Sequence, residues 1–198
     1  MSAAIHSILQ STFGYDQFRP GQQAIIESVL DGNDTLALLP TGGGKSVCYQ
    51  VPALAMPGIC IVITPLIALM KDQVRQLHRR NVSALAIHSG MAFFEVKKAM
   101  ENAASGHFKF LYVSPERLQT NLFKEYLPAM DINLIAVDEA HCVSQWGYDF
   151  RPSYLQIAQL REELPAVPIL ALTASATPTV QQDIMEKLQF SMARQHFQ

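Results

Sequence analysis

Six short runs rich in Val, Ile and Leu recur along the chain, separated by stretches with helical periodicity. The runs are Thr35–Leu39, Ile59–Thr64, Ala84–His88, Phe108–Val113, Ile132–Val137 and Ile169–Leu172. They are mostly apolar on both faces, so both faces need covering, which is the habit of parallel sheets. Between them lie Pro20–Asp31, Leu66–Arg80, Phe93–Ala104, Tyr154–Leu164 and Pro178–Leu188. Pro20 and Gly32 are start and stop signals for the first of these. In Leu66–Arg80, the residues Leu66, Leu69, Met70, Val74 and Leu77 fall on one stripe, with Lys71, Asp72, Gln73 and Arg75 mostly facing away. Thr177 stands where an N-cap belongs. This alternation predicts an α/β fold: a mostly parallel central sheet with helices on both faces and right-handed crossovers. The last ten residues carry no pattern and read as a linker or a frayed end.

The length of 198 residues favours one domain. With 49% apolar and 16% charged residues, the chain can bury a sizeable core. Lys and Arg number 15 against 17 Asp and Glu, a net charge of −2. That excludes a polybasic surface binder, so any nucleic-acid contact must be local. Cys48, Cys60 and Cys142 form no CxxC pair. They give neither a disulfide framework nor a four-cysteine zinc site, read as small buried residues, and suit a reducing, cytoplasmic setting. His6, His78, His88, His107 and His196 show no metal spacing, so no zinc site is expected in this chain. Met56, Met70 and Met100 read as core filler. No apolar run reaches the roughly 18 residues that span a bilayer, and no membrane partner is expected. The N-terminus lacks the basic start and cleavage site of a secretory signal.

Leu39–Ser46 follows a strand and precedes a helical stretch, the context of a phosphate-binding loop. Gly42, Gly43 and Gly44 let the backbone curl close to an anion. Thr41 belongs to the same bend. The N–H groups of the bend and the positive end of the next helix form an anion nest. Lys45 would reach the β- and γ-phosphates, and the Ser46 hydroxyl would ligate Mg²⁺. The strict spacing has glycine at position 39, where this chain has Leu39.

Leu134–His141 is an apolar run ending in two carboxylates. Ligands gather at the carboxyl ends of parallel strands. Asp138 would hold Mg²⁺ through water, and Glu139 would orient and deprotonate the attacking water. His141, two residues on, is a candidate relay, or else a core or surface histidine.

Further segments supply candidate contacts. The Gln22 amide has a donor and an acceptor, matching adenine N6 and N7. Tyr15 and Arg19 could stack on a base or touch phosphate or ribose; Tyr15 as core and Arg19 as a turn cap is the alternative. Gln145, Trp146, Tyr148, Phe150 and Arg151 crowd a short irregular segment. Loop aromatics usually pack inward, but exposed ones stack on bases of a single strand. Thr64–Leu66 and Val113–Arg117 each follow a strand, with hydroxyls that could cap helices or bind phosphate.

Asp-Glu-Ala-His (Asp138–His141), the Thr41–Ser46 loop and Ala-Leu-Thr-Ala-Ser-Ala (Ala171–Ala176) together resemble a superfamily 2 helicase. Phe-Gly-Tyr-Asp-Gln-Phe-Arg-Pro-Gly-Gln (Phe13–Gln22), Cys-Tyr-Gln-Val-Pro-Ala (Cys48–Ala53) and Ser-Gln-Trp-Gly-Tyr-Asp-Phe-Arg-Pro (Ser144–Pro152) resemble RecQ-type DNA helicases. The resemblance covers roughly residues 5–190. It implies a RecA-like P-loop fold over 1–198, with residues 1–34 carrying N-terminal helices and the nucleotide-recognition motif. It implies ATP and Mg²⁺, with Tyr15, Arg19 and Gln22 at the nucleotide. It makes Ser144–Pro152 a DNA-sensing loop, Thr64–Leu66 and Val113–Arg117 DNA-backbone loops, and Thr173 part of a link between nucleotide and lobe movement. Position 148 is Tyr where the family often has His, and position 175 is Ser where Thr is common. The partners implied are single-stranded or partly duplex DNA and a second lobe that carries the arginine finger. That lobe, and zinc-binding and winged-helix parts, would lie downstream of Gln198. The function implied is 3′-to-5′ ATP-dependent unwinding in DNA repair or recombination, with little turnover by this lobe alone. Two alternatives are an RNA-dependent ATPase and a non-catalytic nucleotide- or DNA-binding module.

Overall fold

The computed structural model describes residues 2–191 and 195–197. Seven strands form one sheet: β1 (Thr35–Leu38), β2 (Ile59–Ile63), β3 (Ala84–Ile87), β4 (Phe110–Val113), β5 (Ile132–Val137), β6 (Ile169–Thr173) and β7 (Gln195–Phe197). Their order is β3-β4-β2-β5-β6-β1-β7, and every pairing is parallel. β7 corrects the patternless reading of the last ten residues. It pairs Thr35 with Gln195 and Ala37 with Phe197 along the free edge of β1.

Among the described residues the α-helices are α1 (Ser2–Ile8), α2 (Gln22–Leu30), α3 (Lys45–Ala55), α4 (Ile67–Arg79), α5 (Phe93–Ala104), α6 (Asn121–Tyr126), α7 (Ile157–Glu163) and α8 (Pro178–Lys187). Alternate strand residues point to opposite faces. Cys60 and Val62 of β2 pack with Ile25 of α2, Tyr49 of α3 and Met70 of α4. Ile61 and Ile63 pack on the other face with Met100 of α5, Ile157 of α7 and Ile184 of α8. Both faces are therefore covered, as the uniformly apolar strands require. α1 and the π-helical turn after it, Leu9–Phe13, add an outer layer, where Ile5, Leu9 and Phe13 meet Ile26, Val47 and Val51. Cys48, Cys60 and Cys142 are all buried and free. Met70 and Met100 are fully buried, and Met56 packs half-buried against the core.

Several boundaries differ from the sequence reading. α2 begins at Gln22, because Gly21 takes a left-handed φ of 82° and ends the Pro20 turn. Tyr154 sits in a 3-10 turn, Pro152–Gln156, that precedes α7. On α4, Met70 and Leu77 are buried and Val74 is half-buried, but Leu66 and Leu69 are exposed. The first turn of α4 overhangs the sheet's end, so its stripe outruns the core, and Leu69 lines the cleft described below. Gln73, expected outward, instead accepts a 3.0 Å bond from Gln50 Nε2. The Thr177 hydroxyl caps α8 by accepting from the Val180 N–H.

Backbone bonds continue past the strands at their carboxyl ends. Ser114 N–H donates to Ile87 O (3.1 Å), Thr64 N–H to Val113 O (3.2 Å), Asp138 N–H to Ile63 O (2.9 Å) and Leu39 N–H to Thr173 O (3.0 Å). One row of strand ends thus carries Ser114, Thr64, Asp138 and, through Leu39 and Thr173, the start of the glycine bend and the last motif. At the opposite edge Arg161 of α7 pairs with buried Asp34. Asp34 also accepts the Ile169 N–H (2.8 Å) and the Ser191 N–H (2.6 Å).

Candidate nucleotide site

Leu39 directly follows β1, is buried and donates its N–H to Thr173 O, so position 39 continues the sheet's bonding rather than opening the bend. A glycine there is not needed. The bend begins at Pro40, whose carbonyl accepts the Gly43 N–H at 2.8 Å. Gly42 and Gly44 both take φ of 79°, which L side chains avoid. A Cβ at Gly44 would lie 2.3 Å from Gln22 Nε2, and one at Gly43 2.8 Å from Pro40 O. The cradle is therefore closed to any larger residue, and it opens at Lys45 into α3.

Gln22 is buried behind this bend. Its Oε1 accepts the Arg19 N–H (2.9 Å), and its Nε2 donates to Gly44 O (3.1 Å) and Gly43 O (3.4 Å). The Arg19 guanidinium donates to Gly42 O. The amide nitrogen thus braces the phosphate loop from behind, while the amide oxygen holds the Arg19 backbone. Tyr15 is 48% exposed, so it is not a core residue, and it lines the same cleft as Arg19.

That cleft has a volume of about 410 Å³, a usual size for a small-molecule site. Its walls bring together Thr41, Gly42, Gly44, Lys45 and Ser46 with Asp138 and Glu139. Lys45 Nζ stands 4.0 Å from Glu139 Oε1. Burial, and then the Glu139 charge, push the Asp138 carboxyl up to about 6, with Lys45 pulling the other way. Its backbone is held by the buried Tyr154, whose hydroxyl donates to Asp138 O at 2.9 Å. The Thr64 hydroxyl is buried in the same wall, beside the Asp138 carboxyl.

Glu139 has φ of 50°, a left-handed conformation uncommon outside glycine. The kink leads from β5 into the 3-10 turn Ala140–Val143 and leaves the carboxylate between Lys45 and His141. His141 Nδ1 lies 3.4 Å from Glu139 Oε2 and 2.9 Å from Thr173 Oγ1. Thr173 donates its own proton to Ser175 O (3.2 Å), so its oxygen accepts from His141 Nδ1–H. Burial holds the His141 proton affinity below the ordinary histidine value, and the Glu139 charge opposes it. The imidazole is therefore neutral at pH 7.

Tyr148 stacks on His141, with ring centroids 4.4 Å apart and planes at 20°. Its outer side is open: Tyr148 and Trp146 are each 74% exposed. These two aromatics do not pack inward. Phe150 is half-buried and Gln145 exposed. Arg151 pairs with Asp149 (3.0 Å), and its N–H donates to Cys142 O (2.8 Å). A continuous set of contacts thus joins the aromatic segment to the acidic pair through His141. Ligand atoms of His141, Cys142 and Asp149 lie within 4.8 Å of one another. Here they contact each other directly, with Cys142 Sγ 3.7 Å from both His141 Nε2 and Asp149 Oδ2. Burial pushes that thiol up to about 12.

Neither Thr64 nor Ser114 caps a helix through its side chain; α4 has Leu66 at its N-cap, and the Ser114 hydroxyl is buried without a partner. Sequence reasoning missed Tyr154, whose anchoring bond to Asp138 carries no local signal.

A prediction follows from Asp138. A carboxyl held near 6 instead of 3.8 favours the protonated folded state. Stability is therefore lost as pH rises from about 4 to above 6, by up to about 3 kcal/mol. In chelated, nucleotide-free buffer, Asp138→Asn should melt higher than wild type at pH 8, and the gain should vanish at pH 4. Melting curves at the two pH values check this; a gain independent of pH would contradict the assignment.

The parallel sheet, glycine bend and acidic strand end define a P-loop nucleotide-binding domain. A family profile described as DEAD/DEAH box helicase matches residues 19–184, and the chain belongs to that family. Its sequence places it with the RecQ-type helicases. It is 47% identical over 182 residues to the ATP-dependent DNA helicase RecQ of Haemophilus influenzae, covering 92% of this chain and 29% of that protein. It is 46% identical over 193 residues to the probable ATP-dependent DNA helicase RecS of Bacillus subtilis, covering 97% of this chain and 38% of that one. The chain thus spans about a third of the length of these curated relatives. Among solved structures, DUF1998 helicase MrfA bound to DNA matches with a TM-score of 0.77 at 16% identity, over 98% of this chain and 29% of that chain. That likeness is one of fold.

Proposed function

We propose that the chain is the first motor lobe of a RecQ-like, ATP-dependent DNA helicase. It acts together with a second lobe that closes the cleft and supplies an arginine finger. The carrying observation is that Lys45 and Glu139 face each other at 4.0 Å across a cleft floored by the glycine bend. In this reading the bend's N–H groups and Lys45 bind the triphosphate. Glu139 orients the attacking water and takes its proton. Tyr15 and Arg19 contact the nucleoside, and Gln22 acts through the loop it braces.

The residues fit a divalent cation. Asp138 is a buried carboxylate beside a second carboxylate, and the buried Thr64 hydroxyl adjoins it. Ser46 and Asp138 would hold Mg²⁺, which neutralises phosphate charge when bound. No zinc is invoked in this lobe.

His141 and Thr173 link the acidic pair to Trp146 and Tyr148, which present open faces for stacking on bases. Phe150, Gln145 and Arg151 complete that DNA-sensing segment. DNA is preferred to RNA because relatives 47% and 46% identical to this chain are named DNA helicases.

The test is ATPase of the full-length protein with and without single-stranded DNA. Wild type should be stimulated, and Trp146→Ala should lose most of that stimulation while keeping nucleotide affinity. Stimulation by RNA but not DNA, or a variant stimulated like wild type, would count against this assignment.

A further inference from the structure

α5 is anchored by Val96, Ala99, Met100 and Ala103, all buried. Its first two residues, Phe93 and Phe94, take no part in that contact. They are 70% and 72% exposed, side by side at the head of the helix. The fold gains nothing from two phenyl rings in water, and adjacent exposed aromatics mark a contact surface.

Their position says with what. The loop from β3 to α5 is built, not loose. Arg117, from the segment after β4, donates to His88 O (3.0 Å) and Met91 O (3.1 Å). Gly90 N–H donates to His88 Nδ1 (3.2 Å), and Glu95 takes the Ala92 N–H (2.8 Å). The Phe pair is therefore held at a fixed place at the end of the strand-end row. Ser114 joins that row through its bond to Ile87, next to Thr64 and then Asp138.

The surrounding charge suits a polyanion. Lys71 and Arg117 both act on His88, which burial first, and then these cations, keep neutral. Lys97 and Lys98 follow in exposed positions of α5. Of the acids nearby, Glu95 caps the helix, Asp72 pairs with Arg75 at 3.3 Å, and Glu116 beside Arg117 is exposed, so the cations are in the majority.

We propose that Phe93 and Phe94 form a base-stacking platform for single-stranded DNA, extending the strand's path past Thr64 and Ser114. The proposal rests on the helicase reading above. Aromatic faces accept any base, while the adjoining cations serve the phosphates. The platform lies at the β3 end of the sheet, whereas Trp146 and Tyr148 follow β5, so the two are separate contacts.

The experiment measures binding of the full-length protein to a labelled single-stranded oligonucleotide and to the same strand carrying abasic sites. Both variants change exposed side chains, so folding is not at risk. F93A/F94A should weaken binding to the intact strand about tenfold and leave binding to the abasic strand at the wild-type level. F93Y/F94Y, which keeps the rings, should bind both strands as wild type does. Equal weakening on both strands, no weakening, or a loss of self-association or protein binding with DNA affinity intact would overturn the proposal. If wild type itself neither binds single-stranded DNA nor is stimulated by it, the helicase reading fails and takes this inference with it. A stimulated wild type with unaffected F93A/F94A fails the inference alone.

Discussion

Replacing Glu139 with Gln is expected to lower ATP turnover by about 10²–10⁴-fold in the full-length protein while nucleotide still binds. The reason lies in which atoms change. Gln has the size of Glu and can occupy the same left-handed position between Lys45 and His141. It still offers an oxygen to Lys45, so the anion cradle is intact. What it loses is the basic oxygen that, in the proposed mechanism, takes a proton from water. The bend, Lys45, Ser46 and Asp138 are unaltered, so nucleotide affinity should stay within a few-fold of wild type. Single-turnover hydrolysis and titration with a fluorescent nucleotide separate the two quantities. Unchanged turnover would remove Glu139 from the chemistry, and lost binding would make its role structural. Lys45→Ala should instead lower affinity as well as turnover, because it removes charge from the phosphate site itself.

The parts of this site visible in the sequence are those whose chemistry is local. Gly42, Gly43, Gly44, Lys45 and Ser46 are contiguous, and the conformations of Gly42 and Gly44 exclude most other residues. Asp138 and Glu139 end an apolar strand, and a parallel sheet brings such ends together. The strands themselves were legible because burial on both faces demands Val, Ile and Leu at nearly every position. β7 was not, since Gln195, His196 and Phe197 carry no such run, and their pairing depends on a free edge at β1. The first turn of α4 misled for a related reason: periodicity reports which residues share a face, not where the sheet beneath that face stops. Gln22 shows the limit at the site. Its amide chemistry suits adenine, yet the folded chain directs the amide nitrogen to its own phosphate loop and the amide oxygen to the Arg19 N–H. The left-handed Glu139 was equally invisible, because nothing about a glutamate announces it.

The buried pair of Asp34 and Arg161 lies furthest from any local signal, its members 127 positions apart in the sequence. Arg161→Ala should destabilise the protein by about 3–5 kcal/mol, lowering the melting temperature by about 10 °C. Arg161 does more than balance a charge. Its guanidinium donates to Pro165 O (3.1 Å) and Val167 O (2.9 Å), fixing the turn that leads into β6. Its partner Asp34 takes the Ile169 N–H at the start of β6 and the Ser191 N–H ahead of β7. Truncating Arg161 leaves the Asp34 carboxylate buried with two amide donors and no cation, and two carbonyls without their donor. Changing both residues to Ala removes the stranded charge, so the double variant should cost less than the sum of the single ones. Urea denaturation of the four proteins measures that coupling. The pair sits at the amino-terminal edge of the sheet, away from the cleft, so nucleotide affinity of the folded variants should match wild type. A single-variant cost below about 1 kcal/mol, the range of exposed pairs, would mean that water reaches Asp34 and that this corner is not the clamp its geometry describes.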